Sequence, residues 1–102
     1  MSGVKVAGIG MHPFGRHGEL TATDMGAIAV EAALREAGSR RFDVAFCGTA
    51  YGGVAAGHRV LGALGLTGGP IIDVEAGCAS GAAALALAAG AIRSGQYGTA
   101  LC

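Results

Sequence analysis

From Ala79 to Ser94 the chain consists of alanines interrupted only by Leu85, Leu87, Ile92, two glycines, Ser80 and Arg93. Alanine and leucine are strong helix formers. A helix that is apolar on every side has no face for water, so it has to be covered by other structure. That requirement narrows the possible folds more than any other feature. The small side chains also let a neighbour come close. In 102 residues there is little mass to cover such a helix completely. The chain is therefore expected to be a segment of a larger protein, or to depend on a partner. Its last residues, Leu101-Cys102, lie inside a strand-like run, which points the same way.

The remaining sequence supplies a sheet for this helix. Val4 to Ile9 reads as a short buried strand, and Met11 to Leu20 as a loop broken by Pro13, Gly15 and Gly18. Thr21-Ala22-Thr23-Asp24 reads as a helix start, with Thr21 and Asp24 spaced as a capping box. The helix runs to about Ala37 and Gly38 ends it; Met25, Ile28, Ala29, Ala32 and Ala33 form its apolar face. Asp43 to Cys47 is a second strand, Thr49 to Gly53 a loop, and Val54 to Leu64 a helix weakened by Gly57 and Gly62. Pro70 to Val74 is a third strand, Ala79 to Ser94 the alanine-rich helix, and Thr99 to Cys102 the start of a fourth strand. Alternation of this kind predicts an α/β fold with a mostly parallel sheet covered by helices.

Composition closes off several functions. Seven basic and seven acidic residues balance, aromatics make up 5% and there is no Trp, so no basic stripe for nucleic acid exists. No apolar run is long enough for a membrane span, and the start Met1-Ser2-Gly3-Val4-Lys5 lacks the plan of a signal peptide, so a cytoplasmic location is expected. Three cysteines, Cys47, Cys78 and Cys102, fit neither a disulfide framework nor a zinc site, and suit a reducing compartment. Gly8-x-Gly10 is followed by Pro13 where a dinucleotide fingerprint needs a third glycine, which excludes that reading.

Cys78 carries the chemistry. It stands between the run Ile71-Ile72-Asp73-Val74 and the alanine-rich helix, flanked by Gly77 and Ala79, with Ala76 and Ser80 one step further out. Small residues at these positions suit a strand-turn-helix elbow, where larger side chains are expected to collide. A helix N-terminus favours the thiolate, and its amides favour an oxyanion on an attacked carbonyl. The pattern fits acyl transfer through a thioester on Cys78, with Gly77, Ala79, Ser80 and Gly81 as elbow and oxyanion support. The competing reading is that of a free cysteine used as a small buried hydrophobe; the residues by themselves leave both open.

Val74-Glu75-Ala76-Gly77-Cys78-Ala79-Ser80-Gly81 resembles the nucleophile motif of the thiolase superfamily, above all in Cys-Ala-Ser-Gly. The resemblance extends over essentially the whole chain, through Val6 to Gly15, Ala27 to Gly38, Leu64-Gly65-Leu66 and Ile92-Arg93-Ser94-Gly95. Many thiolases have Asn three residues before the cysteine; Glu75 stands here, which resembles the sterol-carrier-protein-type (lipid-transfer) branch more closely. The resemblance implies that residues 1–102 form a partial, N-terminal thiolase-like domain segment. It implies an acyltransferase using an acyl-CoA thioester as substrate with no bound cofactor or metal. It also implies a homodimer paired through strand 70–74, with Glu75 orienting the elbow or crossing that interface. Some members of the branch are retro-aldolases on acyl-CoA adducts of steroid side chains and work with an OB-fold protein partner, so that activity and partner are alternatives. An inactive fragment or a small α/β binding module is the non-enzymatic one. The family's Gly-His-Gly histidine and second cysteine lie in its C-terminal half, outside the resemblance, so little or no turnover is expected of this chain alone.

Other candidates have ordinary explanations. Cys47 ends a strand at the side where parallel sheets bind ligands, but reads as a strand cysteine. Cys102 reads as an ordinary strand residue. His12 and His17 are loop histidines, and His58, beside Arg59, reads as a surface residue.

Overall fold

The computed structural model describes residues 3–102. Helix α1 spans Ala22–Ala37, strand β1 Val44–Gly48, helix α2 Ala56–Ala63, strand β2 Ile71–Val74, helix α3 Ser80–Arg93 and strand β3 Ala100–Leu101. A single 3-10 turn, Gly77–Ala79, precedes α3. The three strands form one parallel sheet in the order β2-β1-β3. Ala45 pairs with Ile71 on one side and with Leu101 on the other.

Alternation along β1 builds the two faces of the sheet. Val44 and Phe46 point toward α3 and close the core with Ala84 and Ala88, and Val74, Ala91, Tyr97 and Ala100 pack around them. Val44 is completely buried, a contribution of about 1.5–3 kcal/mol for a side chain of this size. On the opposite face Gly57 and Leu61 bury the inner side of α2. Helix α1 packs on α2 and makes no direct contact with the sheet. No helix among the described residues is long and apolar enough to cross a membrane.

The capping box that Thr21 and Asp24 predict is formed. The Asp24 amide donates to Thr21 Oγ1 at 3.1 Å, and the Thr21 amide donates to Asp24 Oδ2 at 2.9 Å. Gly38 ends the helix in the left-handed region, φ 73°, and its N–H donates to Leu34 and Arg35 carbonyls. The Thr21 backbone N–H, and then its hydroxyl, hold the Asp24 carboxyl below its ordinary 3.8. A lowered carboxyl pKa gives stability that is present above the unfolded value and lost as pH falls through the folded one. Thr21→Ala is expected to cost about 1 kcal/mol. In chemical denaturation followed by circular dichroism, the gap between variant and parent should narrow as the solution is acidified below pH 3.8.

Three features depart from the sequence expectation. Val4 to Ile9 forms no strand, and β1 pairs with β3 directly. The segment instead lies along α1, with Gly8 and Gly10 against the helix backbone. A Cβ on Gly8 would fall 2.3 Å from the Ala33 carbonyl oxygen, and one on Gly10 2.0 Å from that of Ala29. Ile9 is anchored by its amide, which donates to Glu36 Oε1 at 3.0 Å, while its side chain and that of Val6 are exposed. Strand periodicity is present, but the glycines give this stretch a closer partner in a helix than in a sheet.

Helix α2 begins at Ala56, not Val54, because Ala55 takes a left-handed conformation, φ 61°. Helix α3 begins at Ser80, since Gly77–Ala79 wind as a 3-10 turn. Only one side of α3 is covered: Ser80, Ala84 and Ala88 are buried while Leu85 and Leu87 are exposed. The sheet covers one side of α3 and nothing lies over the other, so its outer side stays open within these residues, as the shortage of mass in the sequence predicts.

Candidate active site at the β2–α3 elbow

The elbow connects β2 to α3 at the carboxyl end of the sheet. Gly77 has φ 59°, a left-handed conformation that side chains resist, and this lets the chain reverse within one residue. Its N–H donates to Glu75 Oε2 at 2.7 Å, so Glu75 folds back to brace the turn. Ser80 locks the other side. Its buried hydroxyl accepts the Ala76 N–H at 2.8 Å and donates to the Gly77 carbonyl at 2.8 Å. The same hydroxyl reaches the Thr49 carbonyl, at the start of the β1–α2 loop, at 3.4 Å.

Cys78 sits between these two braces and is exposed. No side chain crowds it from the flanks: a Cβ on Gly77 or on Gly81 would meet nothing within 4 Å. Gly77 and Gly81 therefore have open space on their Cβ side. The collision lies underneath. A Cβ on Gly48, the last residue of β1, would be 2.5 Å from the Ser80 carbonyl oxygen and 2.6 Å from its carbon. Gly48 lets the strand run directly beneath the first turn of α3. Sequence reasoning missed it; the signal was a glycine closing a strand next to the Cys78 elbow in a parallel sheet.

Most of the elbow amides expected to serve an oxyanion are already engaged. Gly77 donates to Glu75, Ala79 to the Ala76 carbonyl at 3.1 Å and Ser80 to the Gly77 carbonyl.

The other candidates fall elsewhere. His12 and His17 meet edge-on, ring centroids 4.4 Å apart, both within hydrogen-bond distance of the Pro13 carbonyl. They fix the conformation of the N-terminal loop. Cys102 is exposed one residue beyond β3. Cys47 is half-buried at the end of β1, where burial and then the nearby Asp73 carboxylate push its thiol pKa up. Asp73 was not singled out from the sequence. Its Oδ1 accepts the Gly57 N–H at 2.8 Å and supplies the cap that α2 lacks in its own sequence, and its Oδ2 lies 3.9 Å from His58 Nδ1. Among the described residues no three His, Cys, Asp or Glu side chains converge as a metal site.

The larger cavity, about 370 Å³, is lined by Arg41, Phe42, Asp43, Leu66 and Thr99 among others. It lies at the amino ends of the strands, opposite Cys78. The cavity and the Cys78 thiol thus lie at opposite ends of the sheet.

A parallel sheet, a left-handed glycine and an exposed thiol ahead of a helix define a recognisable local architecture, and residues 4–102 match the N-terminal domain of thiolases. The chain belongs to the thiolase family. It is 36% identical over 104 residues to the non-specific lipid-transfer protein-like 2 of Caenorhabditis elegans, covering 97% of this chain and 25% of that protein. Its fold is similar to 3-oxoacyl-[acyl-carrier-protein] synthase III from Aquifex aeolicus VF5, with a TM-score of 0.68 and 27% identity. The corresponding enzyme of Pseudomonas aeruginosa PAO1 gives a TM-score of 0.65 and 31% identity. Each comparison covers 78% of this chain, and 27% and 26% of the respective synthase. This thiolase-family chain thus spans about a quarter of the length of the relatives it matches.

Proposed function

We propose that this thiolase-type segment supplies the nucleophile of an acyltransferase acting on acyl-CoA thioesters, with Cys78 as the acyl acceptor. The observation that carries the reading is the exposed Cys78 thiol on a braced turn at the mouth of α3. The Cys78 thiolate attacks the thioester carbonyl, a tetrahedral oxyanion forms and collapses, the bond to the CoA sulfur breaks, and CoA leaves as a thiolate that takes up a proton. The amides of Gly77, Ala79 and Ser80 hold the elbow in shape, which leaves the Cys78 N–H as the elbow donor best placed for the oxyanion. A general base and a second oxyanion donor come from outside residues 1–102, so acylation without turnover is expected of this chain.

Incubation with acetyl-CoA followed by intact-mass and peptide mass spectrometry tests this. One acyl group should appear on Cys78, ahead of Cys47 and Cys102, and neutral hydroxylamine should remove it. Absence of an adduct, or an adduct on another cysteine, sinks the proposal. A second reading, favoured by Glu75 and by the lipid-transfer-like relative, is a retro-aldolase of lipid or steroid side-chain adducts with an OB-fold partner. That reaction breaks a carbon–carbon bond and leaves no acyl-cysteine.

Among the described residues the outer edge of β2 has no strand beside it, and Ile72 on it is exposed. We therefore also propose a cytoplasmic homodimer in which residues 71–74 of two copies pair. Sedimentation should give a dimer, and a well-folded monomer at micromolar concentration would contradict it.

A further inference from the structure

Arg59 lies on the first turns of α2, and its guanidinium reaches back to donate to two carbonyls of the β1–α2 loop, Gly52 and Val54. This is the end of a continuous chain of hydrogen bonds. The Gly52 N–H donates to Thr49 Oγ1 at 2.9 Å, the Thr49 carbonyl lies 3.4 Å from Ser80 Oγ as the longer branch of a hydroxyl bond shared with the Gly77 carbonyl at 2.8 Å, and Ser80 Oγ accepts the Ala76 N–H at 2.8 Å. Ala76 and Ser80 bracket Cys78. Each step from the guanidinium to the elbow is a polar contact, and Thr49 is tied to β2 as well, through its N–H on the Val74 carbonyl at 2.9 Å.

We infer that Arg59 is a positioning residue for Cys78: by clamping the β1–α2 loop it holds the Thr49 carbonyl at Ser80, and through Ser80 it fixes the turn that presents the thiol. The inference rests on the reading of Cys78 as a nucleophile. Arginine suits the task because its planar fork serves two carbonyls at once, whereas a lysine ammonium is a point donor on a flexible stem. The loop has little else to hold it. Tyr51 and Val54 are exposed at its tip, and Gly52 and Gly53 make it pliable. Aspartate 73 anchors the same turn of α2 from the other side, through the Gly57 N–H, so the helix carrying Arg59 has a fixed footing on β2.

The test is site-resolved alkylation with iodoacetamide across neutral to alkaline pH, read peptide by peptide for the three cysteines. In the parent chain Cys78 should label faster than Cys47 and Cys102. In Arg59→Ala the Cys78 rate should fall about tenfold across the whole pH range, because the turn no longer holds the thiol outward. Cys102, beyond β3 and far from the β1–α2 loop, should keep its rate; general loosening of the fold would instead raise the rate of half-buried Cys47. Arg59→Lys should lie between the two. A fast parent Cys78 whose rate is unchanged in a folded Arg59→Ala chain overturns the inference alone. If Arg59→Ala does not fold by circular dichroism, Arg59→Lys decides, and a Cys78 rate equal to the parent's overturns it. A parent Cys78 no faster than Cys102 overturns the nucleophile reading, and the inference with it.

Discussion

Gly48→Ala is expected to lower the melting temperature by about 15 °C, the largest stability effect of any single methyl group added near the elbow. The added Cβ runs into the Ser80–Gly81 peptide: 2.5 Å from the Ser80 carbonyl oxygen, 2.6 Å from the Ser80 carbonyl carbon and 2.8 Å from the Gly81 nitrogen. A flexible side chain would move aside at little cost; the first turn of α3 cannot. Relief requires β1 and α3 to separate, and those two elements share the core of Val44, Phe46, Ala84 and Ala88. Overpacking of this kind costs about 3 kcal/mol, a large part of the stability of a small domain. Thermal melts of parent and variant check the magnitude. Gly81→Ala, where a Cβ meets nothing within 4 Å, is the matched control and should leave the melt nearly unchanged.

Cys78→Ala should abolish the acyl adduct formed from acetyl-CoA, with no change in the melt. Cys78 is exposed, so removing sulfur opens no cavity, and the braces of the elbow run through Glu75, Gly77 and Ser80 and not through the thiol. Cys78→Ser keeps the geometry but exchanges a thiol for a hydroxyl, which at neutral pH holds almost no anion; it should fall below detection as well. An adduct that survives in Cys78→Ala would assign acylation to Cys47 or Cys102 and end the proposal. A variant that loses both adduct and folding would show that Cys78 is a packing residue.

Much of this protein was readable in one dimension where the physics is local. The Thr21–Asp24 capping box and the Gly38 stop follow from spacing and from the conformational freedom of glycine, and both are present. The three paired strands lie within two residues of the stretches that β-branched periodicity marks. The elbow around Cys78 was visible because a turn between a buried strand and a helix needs a residue such as Gly77, and the structure puts it at φ 59°.

What was misread depends on partners distant in the chain. Val4 to Ile9 has strand periodicity, yet Gly8 and Gly10 fit against the backbone of α1, and no count of β-branched residues reports that competition. Asp73 caps α2 from sixteen residues downstream, and Arg59 closes a loop that leads to the elbow. Their roles have no local sequence pattern.

By itself the sequence determined the order of elements from the first helix onward, the parallel sheet and the place of Cys78 ahead of a helix, since these follow from propensities and periodicities a few residues long. The tertiary structure decided what surrounds the thiol: Gly48 beneath it, Ser80 and Glu75 bracing it, and an open approach above. Those depend on which backbone meets which across the fold, where a single methyl group at 2.5 Å separates a packed elbow from a collision.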